Sequence, residues 1–260
     1  MQTKTTNIVL IGAGNLATQL AHWLVRKGFC ISQVYSRTEI SAKTLAENIN
    51  ANYTISINEI NKNADLYICA SKDDALPEIL NQLPEIKGTI VHTAGSVDIS
   101  VFEGKFNKYG VFYPLQTFSK TKEVAFSTIP IFVEANDSET LQFLKNIASY
   151  ISEKVYEANS HQRKMLHLSA VFACNFVNHL YAQANDIVKE SGFDFDVLLP
   201  LIDETAQKVH SLNPIDAQTG PAVRFDETVM QKHLSLLQGD STKEQIYKLI
   251  SKSIYQKAKK

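Results

Sequence analysis

The chain has 260 residues, 44% hydrophobic and 20% charged, a globular composition with room for one large domain or two ordinary ones. Its 26 Lys and Arg nearly balance 27 Asp and Glu, which excludes a global basic field for holding nucleic acid or an anionic membrane surface. No stretch approaches the roughly 18 apolar residues that span a bilayer, and the polar lead 1–7 opens no signal-peptide core, so a cytoplasmic protein is expected. Cys30, Cys69 and Cys174 are odd in number, widely spaced and set among apolar residues. They predict buried free thiols in a reducing compartment, and no clustered ligands mark a metal site.

Residues 7–11 read as a strand, followed by Gly12-Ala13-Gly14-Asn15-Leu16-Ala17 and a helical pattern that closes at Gly28. Gly-x-Gly-x-x-Ala in strand, turn, helix order is the dinucleotide fingerprint. Gly12 makes the tight turn, Gly14 admits the pyrophosphate backbone, and Ala17 keeps the helix close to the strand, with Ala13, Asn15 and Leu16 between them. A second strand, 31–35, ends in Ser36-Arg37-Thr38, roughly 20 residues on, where an NAD-preferring site carries an acid. Arg37 instead offers a fork of donors to a 2′-phosphate, with the Ser36 and Thr38 hydroxyls beside it, and predicts NADP(H). Glu39 is the one carboxylate near enough to oppose that reading.

Further strands are read at 53–57, 65–70, 89–92, 110–113 and 129–133. They are apolar throughout and alternate with helical stretches, which predicts a mostly parallel sheet covered on both faces. Ligands in such sheets bind beyond the carboxyl ends of the strands. Ala70, Ser71, Lys72 and Ala75, then Thr93, Ala94 and Gly95, then Pro114 to Thr117, are therefore expected to line the cofactor groove. Asp73 and Asp74 are expected to open the next helix rather than perform chemistry, and His92 reads as a hydrogen-bonded core residue, with catalysis as the alternative.

Beyond about residue 156 the strand signal stops, dividing the chain into a Rossmann-type domain, 1–156, and an all-α domain, 157–260. Helices are predicted at 160–190, ended by Ser191-Gly192; at 195–212, stopped by Asn213-Pro214; at 227–237, capped by Asp226; and at 242–257. Advancing about 100° per residue from Lys164, residues His167, Asn175 and Asn178 share one arc of about 80° with it, a polar stripe. Met165, Leu168, Phe172, Phe176 and Leu180 lie on the apolar face beside it. That face is wider than four helices cover by themselves, which predicts a homodimer packed through this domain. Arg224 has the fork geometry to clamp a substrate carboxylate, or Asp226 to pair with as a purely structural partner.

Gly-Ala-Gly-Asn-Leu-Ala, Ser-Arg-Thr after the second strand and a helical second half resemble the NADP-dependent enzymes grouped with pyrroline-5-carboxylate reductase, coenzyme F420-dependent NADP oxidoreductase and the 3-hydroxyacid dehydrogenases. Tyr113-Pro114-Leu115-Gln116-Thr117-Phe118-Ser119 and Thr219-Gly220-Pro221-Ala222-Val223-Arg224-Phe225-Asp226 resemble, more specifically, the bacterial DUF2520 family of Rossmann-like NADP oxidoreductases. Tyr113 stands where its members commonly carry His, and Phe225 where they carry Gly. The resemblance covers nearly the whole chain and implies an NADP(H)-binding oxidoreductase that pairs through its helical domain. In the related dehydrogenases the helix opening the second domain presents a Lys and an Asn to the nicotinamide, and His167 and Asn175 stand in a similar region here. His167 is thus the expected proton donor or acceptor and Asn175 the orienting amide; their alternative role is hydrogen bonding within the helical bundle. The expected reaction is hydride transfer to or from a small carbonyl, imine or hydroxyacid in an interdomain cleft. The alternative is a non-catalytic NADP(H) sensor, and fold alone does not choose between them.

Overall fold

The computed structural model describes residues 6–120, 122 and 124–259; residues 1–5 of the polar lead, and 121, 123 and 260, lie outside them. Strand and helix alternate as β1 (Asn7–Ile11), α1 (Asn15–Arg26), β2 (Cys30–Tyr35), α2 (Glu39–Asn48), β3 (Asn52–Thr54), β4 (Leu66–Cys69), α3 (Leu76–Gln82), β5 (Thr89–His92), β6 (Tyr109–Pro114), β7 (Ile131–Ala135), α4 (Ser138–Ile151) and β8 (Val155–Glu157). They form one eight-stranded sheet in the order β3-β2-β1-β4-β5-β6-β7-β8. Every pairing is parallel except β6 with β7.

The unbroken apolar strands exist because both faces are covered. In β1, Ile8 and Leu10 join the core formed with Ala17, Leu20 and Leu24 of α1, Leu45 of α2 and Leu144 of α4. Val9 and Ile11 point to the opposite face, where Leu76, Ile79 and Leu80 of α3 meet Phe102. These four β1 side chains, Ile8 to Ile11, are fully buried, each contributing about 1.5–3 kcal/mol by leaving water. The sheet is doubly wound, and β1 and β4, which lie side by side, diverge to opposite directions of strand order, the place where such folds bind ligands.

The strand expected over 53–57 is shorter: it ends at Thr54, whose hydroxyl donates to Glu59 (2.7 Å), and Ile57–Glu59 turns into a 3-10 helix. β8 was not anticipated, since its three residues, half-buried to exposed, carry too little apolar pattern to announce a strand. After it come α5 (Ser160–Ala170), a π-helical stretch Val171–Phe176, α6 (Val177–Glu190), α7 (Leu199–Lys208), α8 (Pro221–Arg224), α9 (Glu227–Leu236) and α10 (Ser241–Ala258). The helix expected over 195–212 opens instead with a 3-10 turn, Phe195–Leu198, and its α-helical part ends at Lys208. α8 is too short to show a period.

The contacts divide the chain into two compact units, Met1–Asn175 and Phe176–Lys260. Strands end at Glu157, beside the expected boundary at 156, yet the first unit runs on through α5 because that helix is fastened to the sheet. In the second unit, Asp226 and Asp240 cap α9 and α10 by accepting from the backbone of Val229 (3.1 Å) and Lys243 (2.9 Å). Phe225 stacks on Tyr255 at 4.5 Å. Among the described residues of this unit only Ala222 is buried. Among the described residues no helix is long and apolar enough to cross a membrane.

Candidate functional site

The turn between β1 and α1 is built by close approach. Gly12 has φ +122°, a backbone region that favours glycine, and its N–H donates to Tyr35 O (2.8 Å). A Cβ there would sit 2.4 Å from the carbonyl oxygen of Ala70 at the end of β4, so only glycine lets the two strand ends meet. Gly14 is different: its φ of −78° suits any residue, and a Cβ would meet no protein atom within 4 Å. The space beside it is open, and no side chain caps the first turn of α1, whose amides point outward with no acidic residue among them. Ala13 is buried and Ala17 lies at zero exposure against the strand, as the motif requires.

Gly14 borders a cleft of about 830 Å³ whose lining residues all belong to the first unit. Asn15, Leu16, Ala70, Ser71, Lys72, Thr93, Ala94 and Gly95 line it, with Tyr113 and Pro114 at the end of β6 and Leu115 to Phe118 beyond it. Asn15 does more than face the cleft, since its side-chain amide donates to Phe118 O (3.0 Å) and Gln19 of α1 reaches Ser119 O (2.9 Å). Together they tie the segment after β6 to the glycine turn. Asp73 accepts a short hydrogen bond from Ser96, joining the segments after β4 and β5. Ala75 sits in the 3-10 turn Asp73–Ala75 that leads into α3, outside the lining. Ser36, Arg37 and Thr38 follow β2 and also lie outside the lining, Arg37 and Thr38 exposed. The Glu39 carboxylate accepts from the Tyr53 hydroxyl (3.2 Å), which occupies one oxygen of the carboxylate that could oppose a phosphate.

From the far side α5 closes the cleft. A capping box of Asn159 and Gln162 starts the helix. One turn in, Arg163 is 1% exposed and joins three segments: it pairs with Glu134 of β7, and donates to Val97 O after β5 and to Ser160 Oγ (3.1 Å). Lys164, placed on the predicted polar stripe, pairs with Asp98 at 2.8 Å and holds that carboxyl well below its usual range, at about 2. His167 comes next and lines the cleft; its Nδ1 lies 3.0 Å from the Tyr113 hydroxyl. Burial pushes the Tyr113 phenol up to about 12, against the pull of the nearby Arg163 guanidinium. Asn175 also lines the cleft, although it lies within the π-helical stretch, where the α-helical period no longer applies. Asn178 belongs to the second unit.

His92 is fully buried at the end of β5, accepts from the Ala94 amide (3.2 Å) and stacks on Phe102. Burial first, then the Arg163 guanidinium, pushes it down to about 3, so it is a neutral core side chain. Arg224 ends α8 in the second unit and is exposed; Asp226, its expected structural partner, spends Oδ1 on capping α9. The expectation of three buried thiols is corrected. Cys69 is buried, but Cys30 and Cys174 are exposed, because apolar neighbours in sequence do not place a residue inside an element's buried face. Arg163 and its network escaped sequence reading because its partners lie 29 and 66 residues away, with no local period to reveal them. Tyr113 was visible only as a substitution at a family position. Among the described residues no three His, Cys, Asp or Glu side chains converge as metal ligands would.

Comparison with known proteins adds to this geometry. Residues 129–254 match the family model described as a domain of unknown function, DUF2520, and residues 7–95 match that described as NADP oxidoreductase, coenzyme F420-dependent. The crystal structure of a "putative NADP oxidoreductase" from Bacteroides fragilis is similar at 54% identity and TM-score 0.91, over 97% of this chain and 98% of that one. A Thermotoga maritima protein superposes with TM-score 0.81 at 23% identity, over 97% of this chain and all (100%) of the other. Pyrroline-5-carboxylate reductase from Coxiella burnetii does so with TM-score 0.58 at 17% identity, over 98% of each chain. At those lower identities the likeness is one of fold. No curated protein matches the chain.

Proposed function

This chain belongs to the DUF2520 family, and from that premise we propose that it is an NADP(H)-dependent oxidoreductase acting on a small carbonyl, imine or hydroxyacid substrate. The observation that carries the reading is that one cleft holds both the uncapped start of α1 behind Gly12 and Gly14 and the imidazole of His167. A bound dinucleotide would have its pyrophosphate held by the amides after Gly14 and its nicotinamide half accommodated by the small residues Ala70, Ser71, Thr93, Ala94 and Gly95. Arg37, with Ser36 and Thr38, would receive the 2′-phosphate. The cofactor, when bound, supplies the hydride.

The chain's own part is to hold the substrate and manage its proton. In this reading His167 would donate to the substrate or accept from it, Asn175 would orient the reacting atom, and Arg224 has the donor fork that a substrate carboxylate would take. A second copy of the chain is the partner proposed for the helical unit. Calorimetric titration tests the cofactor: NADPH should bind at least about tenfold more tightly than NADH, the weight of one charge-assisted contact. Equal or tighter NADH binding overturns the NADP(H) assignment, and binding of neither overturns the oxidoreductase. NADPH oxidation screened over carbonyls and imines tests the chemistry. His167→Ala and Asn175→Ala should each lose about a hundredfold in turnover while still binding NADPH. Binding without turnover on any substrate returns the sensing role.

A further inference from the structure

We propose that Tyr113 is a positioning residue that fixes which nitrogen of His167 carries the proton, so that the cleft presents an imidazole N–H donor to the substrate. The substrate class follows: a reacting group that accepts a hydrogen bond, a carbonyl oxygen or a neutral imine nitrogen, rather than a preformed iminium cation, which has no lone pair to offer. The substrate class rests on the oxidoreductase reading above, whereas the tautomer does not.

The argument starts from what the phenol can do. Tyr113 is 7% exposed, and a buried hydroxyl left without an acceptor costs about 1–3 kcal/mol. Among the described residues, its hydrogen-bonding partner is His167 Nδ1 at 3.0 Å. The other polar groups nearby do not take the phenol hydrogen. Arg163 has only donors and so offers the phenol hydrogen no acceptor, and Asp73, which accepts from Ser96, makes no hydrogen bond to Tyr113 among the described residues. If Nδ1–H donated to the phenol oxygen, the phenol hydrogen would have no acceptor among the described residues. If the phenol donates to Nδ1, both groups are satisfied, and the neutral ring must then carry its own proton on Nε2. Burial keeps the phenol protonated far above neutral pH, so the donor persists.

Packing fixes the same edge of the ring. A Cβ on Gly95 would lie 2.5 Å from Cγ, 2.6 Å from Nδ1 and 2.8 Å from Cβ of His167. The segment after β5 therefore covers the Cγ–Nδ1 side closely enough that only glycine fits. With Nδ1 taken by Tyr113 and its side of the ring covered by Gly95, the Nε2 edge is the one His167 has left to offer the cleft it lines. A neutral Nε2–H there pulls electron density from a carbonyl oxygen or imine nitrogen and repels a cation.

The test uses the full chain labelled with 15N-histidine, with His167→Gln to assign the ring signals and Tyr113→Phe to remove only the hydroxyl. Long-range 1H–15N spectra, at a pH where the ring is neutral, should place the His167 proton on Nε2. Tyr113→Phe should shift the Nδ1 resonance. A wild-type ring protonated on Nδ1, or unchanged Nδ1 in the variant, overturns the positioning role. With NADPH and a panel of ketones, aldehydes, neutral cyclic imines and N-methylated cyclic iminium salts, turnover of carbonyls or neutral imines is expected. Its kcat should fall at least about tenfold in Tyr113→Phe while KM moves less than about threefold, the mark of an interaction strengthened in the transition state. Turnover of iminium salts alone overturns the substrate class. Failure to bind NADPH removes the oxidoreductase reading instead and leaves the tautomer result standing.

Discussion

Gly12 and His92 are held by their surroundings in ways that can be measured. Alanine at position 12 would have to adopt φ near +122° and place its Cβ 2.4 Å from backbone that cannot swing away. Strain and overpacking together should destabilise Gly12→Ala by at least about 2 kcal/mol in urea unfolding. A loss under about 0.5 kcal/mol would mean that the β1–α1 turn is not built as described. His92 makes stability depend on pH. Its value is pushed from 6.5 to about 3 in the folded chain, so between those limits the unfolded state binds the extra proton. Stability is therefore greatest above pH 6.5 and is lost as pH falls toward 3. From pH 6.5 to 4.5 the His92 share of the loss should be roughly 2–3 kcal/mol at about 1.4 kcal/mol per unit. His92→Leu should flatten that slope whatever its own stability; an equal slope in both proteins would show that another group governs it.

At the scale of the element, α5 is the part of the first unit whose sequence says least about its job. Its polar residues carry it: Ser160 accepts from Ile99 N (3.0 Å) and donates to Glu134, Arg163 spans β7 and the segment after β5, and Lys164 pairs with Asp98. Glu134→Gln keeps the shape but leaves the 1%-exposed guanidinium without its charge partner. Breaking such a pair costs about 3–5 kcal/mol, whereas Arg163→Met with Glu134→Leu should recover most of the loss. Thermal or urea unfolding of the three proteins checks this, and a Glu134→Gln chain as stable as wild type would show the pair to be idle. The helical wheel put His167 and Asn175 on one face by assuming an unbroken α-helix. Both do line one cleft, but through a π-helical stretch, Val171–Phe176, that nothing in Val-Phe-Ala-Cys-Asn-Phe announces.

At the scale of the whole molecule, the helical unit leaves large apolar side chains exposed. Its only buried described residue is Ala222, while Leu201, Leu236 and Leu249 are 65%, 80% and 70% exposed. A unit of this size that folds by itself buries about 60% of its unfolded surface, so a second copy is the expected cover. Light scattering at micromolar concentration should return the mass of two chains, and a monomer there would refute the pairing. The sequence by itself determined the α/β class, the glycine turn and the strand ends beyond which the cleft opens, because these rest on short-range facts: two-sided apolar strands and a positive φ only glycine tolerates. The helical domain was also legible from its 3.6-residue period. Only the tertiary structure decided that α5 belongs with the sheet, that Arg163 joins Glu134 and Val97, and that Tyr113 meets His167. Those contacts join residues 29 to 66 positions apart, and no local pattern of apolar spacing records which polar side chains will be brought together when the sheet closes.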